Sequence, residues 1–396
     1  DLGGVISGGT WGGIDWTLVD GTLTITPTTG NPELNPNFND GTTRYAVGAW
    51  REAVIYNNGE AIEIGGYPYD RSKVKTLIIE EGVISIGSFT AQSFTNLTGE
   101  VVIPYTVNYI GQEAFQKSTM TTLTFAPAPE GYDEGLCIAQ GAFKNLIIEE
   151  VSLPADRPVH LHAWVFNNCH NLKNVTIPAT VASFHGTNHI DYFDDFNQHS
   201  NPTWTHSSEI FAYNENMETV EFGSEEVMNQ FYSYNNGTLK DYLKANVGLV
   251  TYCDVDDAID AAKSGGTITL VKNTNAGGDN KLNIPADANI TIDLKGKNMT
   301  CSILAPNANL TVKNGTITNK DASVSAIEIN KGTLTIENVN VNSARHALRI
   351  DGEVTATING GTYKAAQGSG TGTYHAANIS GAAIVTIEDG TFVGPK

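Results

Sequence analysis

Along residues 77–222 apolar and polar positions alternate in short bursts, and one phrase comes round five times. It is an apolar residue, then Ala-Phe or a near variant, then, seven to nine residues later, a Val/Leu-x-Ile/Leu/Phe stretch that often runs into Pro. The Phe positions are Phe94, Phe115, Phe143, Phe166 and Phe211, and the alternating stretches that follow are 101–103, 123–125, 151–153, 175–177 and 220–222. Leu77-Ile78-Ile79 stands ahead of the series. Alternation predicts half-buried strands, and self-similarity at about 20 to 29 residues predicts a leucine-rich solenoid whose units bury their apolar side only against their neighbours. Two insertions lengthen the period, a small one around 127–136 and a larger one at 185–208.

A second pattern starts near Cys253. Residues 254–263 place apolar side chains at helical spacing with acidic residues in the first turn, and Gly265-Gly266 stops the helix before Thr267-Ile268-Thr269-Leu270 begins a strand. Short strands then recur at 290–292, 310–312, 334–336, 356–358 and 385–387, four of them followed by an Asn/Gly/Asp corner and another strand. Such rungs predict a parallel β-helix, plugged at its open end by the 254–263 helix. At the other terminus, 16–25 reads as two strands around an Asp20-Gly21 turn. The expected organisation is therefore a mainly β solenoid: an N-terminal β cap (1–70), leucine-rich repeats (71–223), a structured connector (224–252) and a right-handed parallel β-helix with an N-terminal capping helix (253–396).

Composition narrows the chemistry. Charged residues make up only 17% of the 396 and the formal net charge is -20. That balance repels phosphate backbones and anionic headgroups, so neither nucleic acid nor membrane insertion is expected. No apolar run reaches the ~18 residues of a spanning helix. The four cysteines, Cys137, Cys169, Cys253 and Cys301, have no Cys-x-x-Cys spacing, so no zinc site and no cofactor is expected, and Cys169 reads as a buried structural thiol. The sequence opens at Asp1, which suggests a leader peptide removed or left out.

The series Ile103-Pro104-x-x-Val107-x-x-Ile110-Gly111-x-x-Ala114-Phe115 and Asn171-Leu172-x-x-Val175-x-Ile177-Pro178 closely resembles the BspA-like leucine-rich repeats of bacterial surface proteins, and the cap resembles that family too. The fourth unit departs from it, with Trp164-Val165-Phe166 for Ala-Phe. The resemblance implies an extracellular or outer-surface protein that binds partners. Residues 254–396 resemble the pectate-lyase-like right-handed β-helix superfamily, although none of its active-site signatures carries over.

Three constellations are candidate sites. The 185–208 insertion gathers His185, His189, His199, Asp191, Asp194, Asp195, Tyr192, Phe193 and Trp204, a mix of carboxylates, imidazoles and aromatic rings suited to a ligand surface; a solvated loop is the plainer explanation, and the loose histidine spacing argues against a native metal site. In the β-helix, aligning 325–330, 346–351 and 375–380 stacks His346 under His375 and puts Glu328, Arg349 and Asn378 in one outward column, which is either a groove or an ordinary surface ladder. The outward strand positions of the repeats are the third: Glu100, Val102, Thr122, Thr124, Glu150, Ser152, Asn174, Thr176, Thr219 and Glu221. The leading expectation is a monomeric, non-enzymatic binding or adhesion protein whose partner is a host or bacterial surface protein or glycan. A β-helix carbohydrate-active enzyme and a structural spacer are the alternatives.

Overall fold

The computed structural model describes residues 7–11, 14–27, 43–44, 53–57, 60–64, 70–83, 85–86, 90–111, 113–184, 209–233, 239–367 and 373–395. The fold is mainly β and solenoidal, and the chain divides into two compact units, Asp1–Tyr242 and Leu243–Lys396.

The first unit opens with antiparallel strands Ser7–Trp11, Ile14–Val19 and Thr22–Pro27. Asp20 and Gly21, at φ 49° and 82°, make the tight turn between the last two, a conformation that suits the strands' right-handed twist. Thr22–Pro27 then pairs in parallel with Thr76–Ile79, so the hairpin covers the edge of the first repeat and buries Trp16, Leu23 and Ile25. A separate antiparallel sheet holds Thr43–Arg44, Ala53–Asn57 and Glu60–Ile64.

Each repeat contributes two strands, one to each side of the solenoid. On one side Ser85–Ile86, Tyr109–Ile110, Leu136–Ile138, Val159–Leu161 and Val181–Ser183 form an unbroken five-strand parallel ladder. On the other, Glu100–Ile103 pairs with Thr122–Phe125, and Glu150–Ser152 pairs with Asn174–Ile177, which pairs with Thr219–Phe222. Alternation points Val101, Ile103, Val151, Val175, Ile177, Val220 and Phe222 inward, all buried. Between the ladders Phe115, Phe143, Phe166 and Phe211 stack ring on ring at 5.2, 5.4 and 5.5 Å, within 18° of parallel. Fully burying each ring is worth about 1.5–3 kcal/mol, which is why the phrase needs Phe. In the departing fourth unit, Val165 occupies the buried place that Ala114 and Ala142 hold elsewhere.

The segment expected as a connector is shared between the units. Helix Glu225–Ser233, its first turn held by Ser224 Oγ accepting from the Val227 N–H at 3.2 Å, lays Phe231 against Phe184, Phe211 and Phe222 and so closes the last repeat. A single helical turn, Leu239–Tyr242, follows. Strands Ala245–Val247 and Val250–Tyr252 make a hairpin belonging to the second unit, whose first strand pairs with Ser264–Leu270.

In the second unit helix Val255–Ala262, capped by Asp254 accepting from the Asp256 N–H at 2.9 Å, buries Val255, Ala258, Ile259 and Ala262 over the mouth of the core. Parallel ladders then run along three faces. One aligns Thr267, Thr291, Thr311, Thr335, Thr357 and Thr386 outward in a single file, with Ile268, Ile292, Val312, Ile336 and Ile358 buried next to them. At one corner Gly332 sits at φ 102°, where an added Cβ would lie 2.1 Å from the Ala308 carbonyl oxygen.

Candidate functional site

The candidates of the 185–208 insertion, His185, His189, Asp191, Tyr192, Phe193, Asp194, Asp195, His199 and Trp204, lie outside the described residues.

In the second unit the structure brings the other four named residues onto neighbouring rungs. Glu328, Arg349 and Asn378 are register partners on successive strands. Arg349 reaches Glu328 at 3.9 Å and Asp351 at 3.5 Å, and Glu328 also accepts from the Ser325 N–H at 2.8 Å. His346 is nearly buried under His375, the rings stacked at 5.4 Å and 8°, with Tyr374 edge-on at 5.6 Å. The His375 N–H donates to His346 Nδ1 at 2.8 Å, which requires that nitrogen to be unprotonated. Burial, with His375, Arg345 and Arg349 nearby, holds the His346 pKa below its ordinary value, against a smaller opposing pull from Glu328. Both carboxylates are engaged by one guanidinium. The column therefore offers a charged ladder and a neutral imidazole rather than an acid–base pair facing open space.

The repeat face holds a feature that the outward residues alone did not show. All ten named positions from Glu100 to Glu221 do lie off the core, but the ladder behind them is interrupted. From Glu100 to Thr122 is 22 residues and from Glu150 to Asn174 is 24, whereas from Thr122 to Glu150 is 28, because the 127–135 loop intervenes. On the opposite side Tyr109–Ile110, Leu136–Ile138 and Val159–Leu161 remain paired in register. Thr122–Phe125 and Glu150–Ser152, however, share no ladder, whereas Asn174–Ile177 and Thr219–Phe222 stay paired across the larger insertion. The opening is a groove of about 420 Å³ lined by Thr122, Thr124, Phe125, Glu150, Ser152 and Asp156 among others. Its hydroxyls and carboxylates can accept hydrogen bonds, and Phe125 and Pro154 give it an apolar floor. The lengthened period was its only signal in the sequence.

A second, smaller groove of about 260 Å³ lies among Glu149, Asn171, Lys173, Asn216 and Glu218, where Lys173 pairs with Glu149 at 3.3 Å. All four cysteines are free, and burial pushes the Cys137, Cys169 and Cys301 thiols up to about 12, so they are poor nucleophiles. Cys169 is fully buried, its N–H donating to Asn214 Oδ1 at 2.8 Å. Among the described residues no cluster of three or more His, Cys, Asp or Glu could hold a metal ion, and no helix is long and apolar enough to cross a membrane.

No curated protein matches the chain. Solved structures resemble it loosely. A leucine-rich repeat protein from Eubacterium ventriosum is 14% identical, with 90% of this chain and 87% of that one covered at a TM-score of 0.33. The pneumococcal vaccine antigen PcpA is 13% identical, with 90% and 94% covered at 0.23, and a leucine-rich cell surface protein from Faecalibacterium prausnitzii is 14% identical, with 90% of each covered at 0.22. Superpositions this loose fix neither arrangement nor activity. The sequence model of the BspA type leucine rich repeat region matches in six copies, over 52–131 and 136–241. The match begins ahead of the expected start at 71 and runs past the expected end at 223, taking in the strands at 53–64 and the closing helix Glu225–Ser233. The first unit is thereby matched to leucine-rich repeats of the BspA type, which accounts for its fold and leaves its chemistry to the residues on its faces.

Proposed function

We propose that the chain is a non-enzymatic protein of the cell exterior that binds a surface protein or a glycan through the outward faces of its repeats, acting as a monomer. The observation that carries this reading is the interrupted ladder of the first unit, which turns a flat strand face into a groove with hydroxyl, carboxylate and apolar lining. Recognition by such a surface needs shape and hydrogen bonding but no reacting group. The six-threonine file of the second unit adds a regular polar face. Its likeness to pectate-lyase-like β-helices belongs to the same reading and rests on the opening helix and the three parallel ladders. The 185–208 insertion is proposed as a further contact, since loops on a rigid scaffold are where recognition concentrates.

The test is a glycan array and a panel of host and bacterial surface proteins probed with the full chain, with a variant whose 185–208 segment is replaced by a short Gly-Ser turn, and with Ser152→Tyr, which fills the groove. Binding by the full chain that either variant weakens at unchanged melting temperature supports the reading. Depolymerisation of any arrayed polysaccharide would overturn it in favour of an enzyme.

A further inference from the structure

In the turns that flank the groove, an apolar residue follows Ile-Pro-x-x: Val107 after Ile103-Pro104 and Val181 after Ile177-Pro178, 0% and 2% exposed. After Leu153-Pro154 the same place holds Arg157, and it is 1% exposed. Its Nη1 donates to the backbone carbonyls of Tyr105 and Val107, the second at 3.0 Å, reaching past the inserted loop to the turn of an earlier repeat. Nε and Nη2 meet no acceptor in good hydrogen-bonding geometry, and the Tyr132 phenol lies against the guanidinium. None of the ion pairs among the described residues involves this guanidinium. The neighbouring Asp156 is turned to the loop, accepting from the Ala128 N–H at 2.6 Å, and the group beside Arg157 is the Tyr132 phenol.

Burying a guanidinium is costly even with the Asp156 carboxylate near it, so a fold that keeps one where valine would serve has a use for the charge. The two unpaired donors form one edge of the planar fork, the edge that receives a carboxylate in two parallel bonds. The cover is thin: Tyr132 stands edge-on to Tyr105 at 5.2 Å, and Glu130, Gly131, Asp133 and Glu134 around it are exposed.

The geometry points to Arg157 as a binding residue whose Nε–Nη2 edge takes the carboxylate of an acidic ligand, a uronic-acid type sugar being the fitting class, admitted when the Tyr132 loop lifts. The groove lining ends at Asp156, the residue before Arg157 in the chain. One fork supplies one charge, and Glu130, Asp133, Glu134 and Asp156 repel a phosphate dianion more than a carboxylate monoanion. This deepens the binding reading by naming a ligand class for the groove, and it is testable without any macromolecular partner.

The full chain is titrated with sodium glucuronate, sodium acetate, inorganic phosphate and sodium chloride at matched ionic strength, following the thermal midpoint and tyrosine fluorescence. Glucuronate is expected to give a saturable rise of at least about 2 °C, acetate a weaker one, and phosphate and chloride none. Arg157→Val, which restores the residue of the neighbouring turns, should abolish the response, and Arg157→Lys, which keeps the charge without the two-donor edge, should lose most of it. Tyr132→Ala should keep the response and shift saturation to lower glucuronate. A wild-type protein indifferent to both carboxylates, an equal response to phosphate or chloride, or an unchanged response in Arg157→Lys would each overturn the assignment. Failure here leaves binding to a neutral glycan or a protein standing, whereas loss of all partner binding with the carboxylate response intact would overturn only the broader reading.

Discussion

Phe143 touches the phenylalanines of the turns on both sides and Phe125 edge-on at 6.3 Å, so its loss is felt by three layers at once. Phe143→Ala is expected to cost about 3 to 5 kcal/mol in urea denaturation of the first unit, and Phe143→Leu distinctly less; equal midpoints for wild type and Phe143→Ala would show that the stack carries no stability. His346 sets a pH dependence of its own. Its folded pKa lies below the ordinary value, so as pH falls the unfolded chain takes up the proton first; this stability is fully present above about pH 6.5 and declines below it. Melting of the second unit between pH 8 and 5 should show that decline, and His346→Gln, whose amide oxygen can still accept from the His375 N–H, should flatten it. Both sets of residues were legible in the sequence, since the period repeats the Phe and the rung alignment stacks the two histidines. Arg157 was not, because an inward arginine runs against the alternation that identifies inward positions at all; only its place after Leu153-Pro154 marks it.

Strands and corners were the more legible elements. The Asn-Gly and Gly-Gly corners of the second unit were read from composition at the bends; Gly332, ahead of the 334–336 strand, was not among them, yet its left-handed φ and the nearby Ala308 carbonyl leave no room for a side chain. Gly332→Ala is therefore expected to destabilise the second unit by about 2 kcal/mol or more, measured by denaturant midpoint, while Gly278→Ala, with open space around it, should change little. The helix Glu225–Ser233 was harder. It stands outside the repeat period, and from sequence alone its aromatic residues have no assigned partner, so it reads as a connector. Only the ring contacts of Phe231 show that it finishes the first unit.

At the scale of the molecule, two repeat periods imply two units, and the boundary falls at Tyr242/Leu243, inside the stretch from which neither period can be read. Because solenoid contacts run between neighbouring turns, each unit should fold alone. Fragments 1–242 and 243–396 are expected to melt cooperatively in calorimetry, and a fragment that stays unfolded would show that the other completes it. The interrupted ladder also divides the first unit in time. The Ala126 N–H donates to Ile103 and the Leu153 N–H to Thr176, so strand alternation turns the amides of Leu123, Phe125, Glu150 and Ser152 toward the gap. Those amides should exchange with solvent hydrogen long before the molecule unfolds, while the amides of Cys137, Ala139 and His162, bonded across the unbroken ladder, wait for global opening. The first unit thus has a slow back and a quick front, and whatever lodges in the groove would be registered first as a slowing of the front.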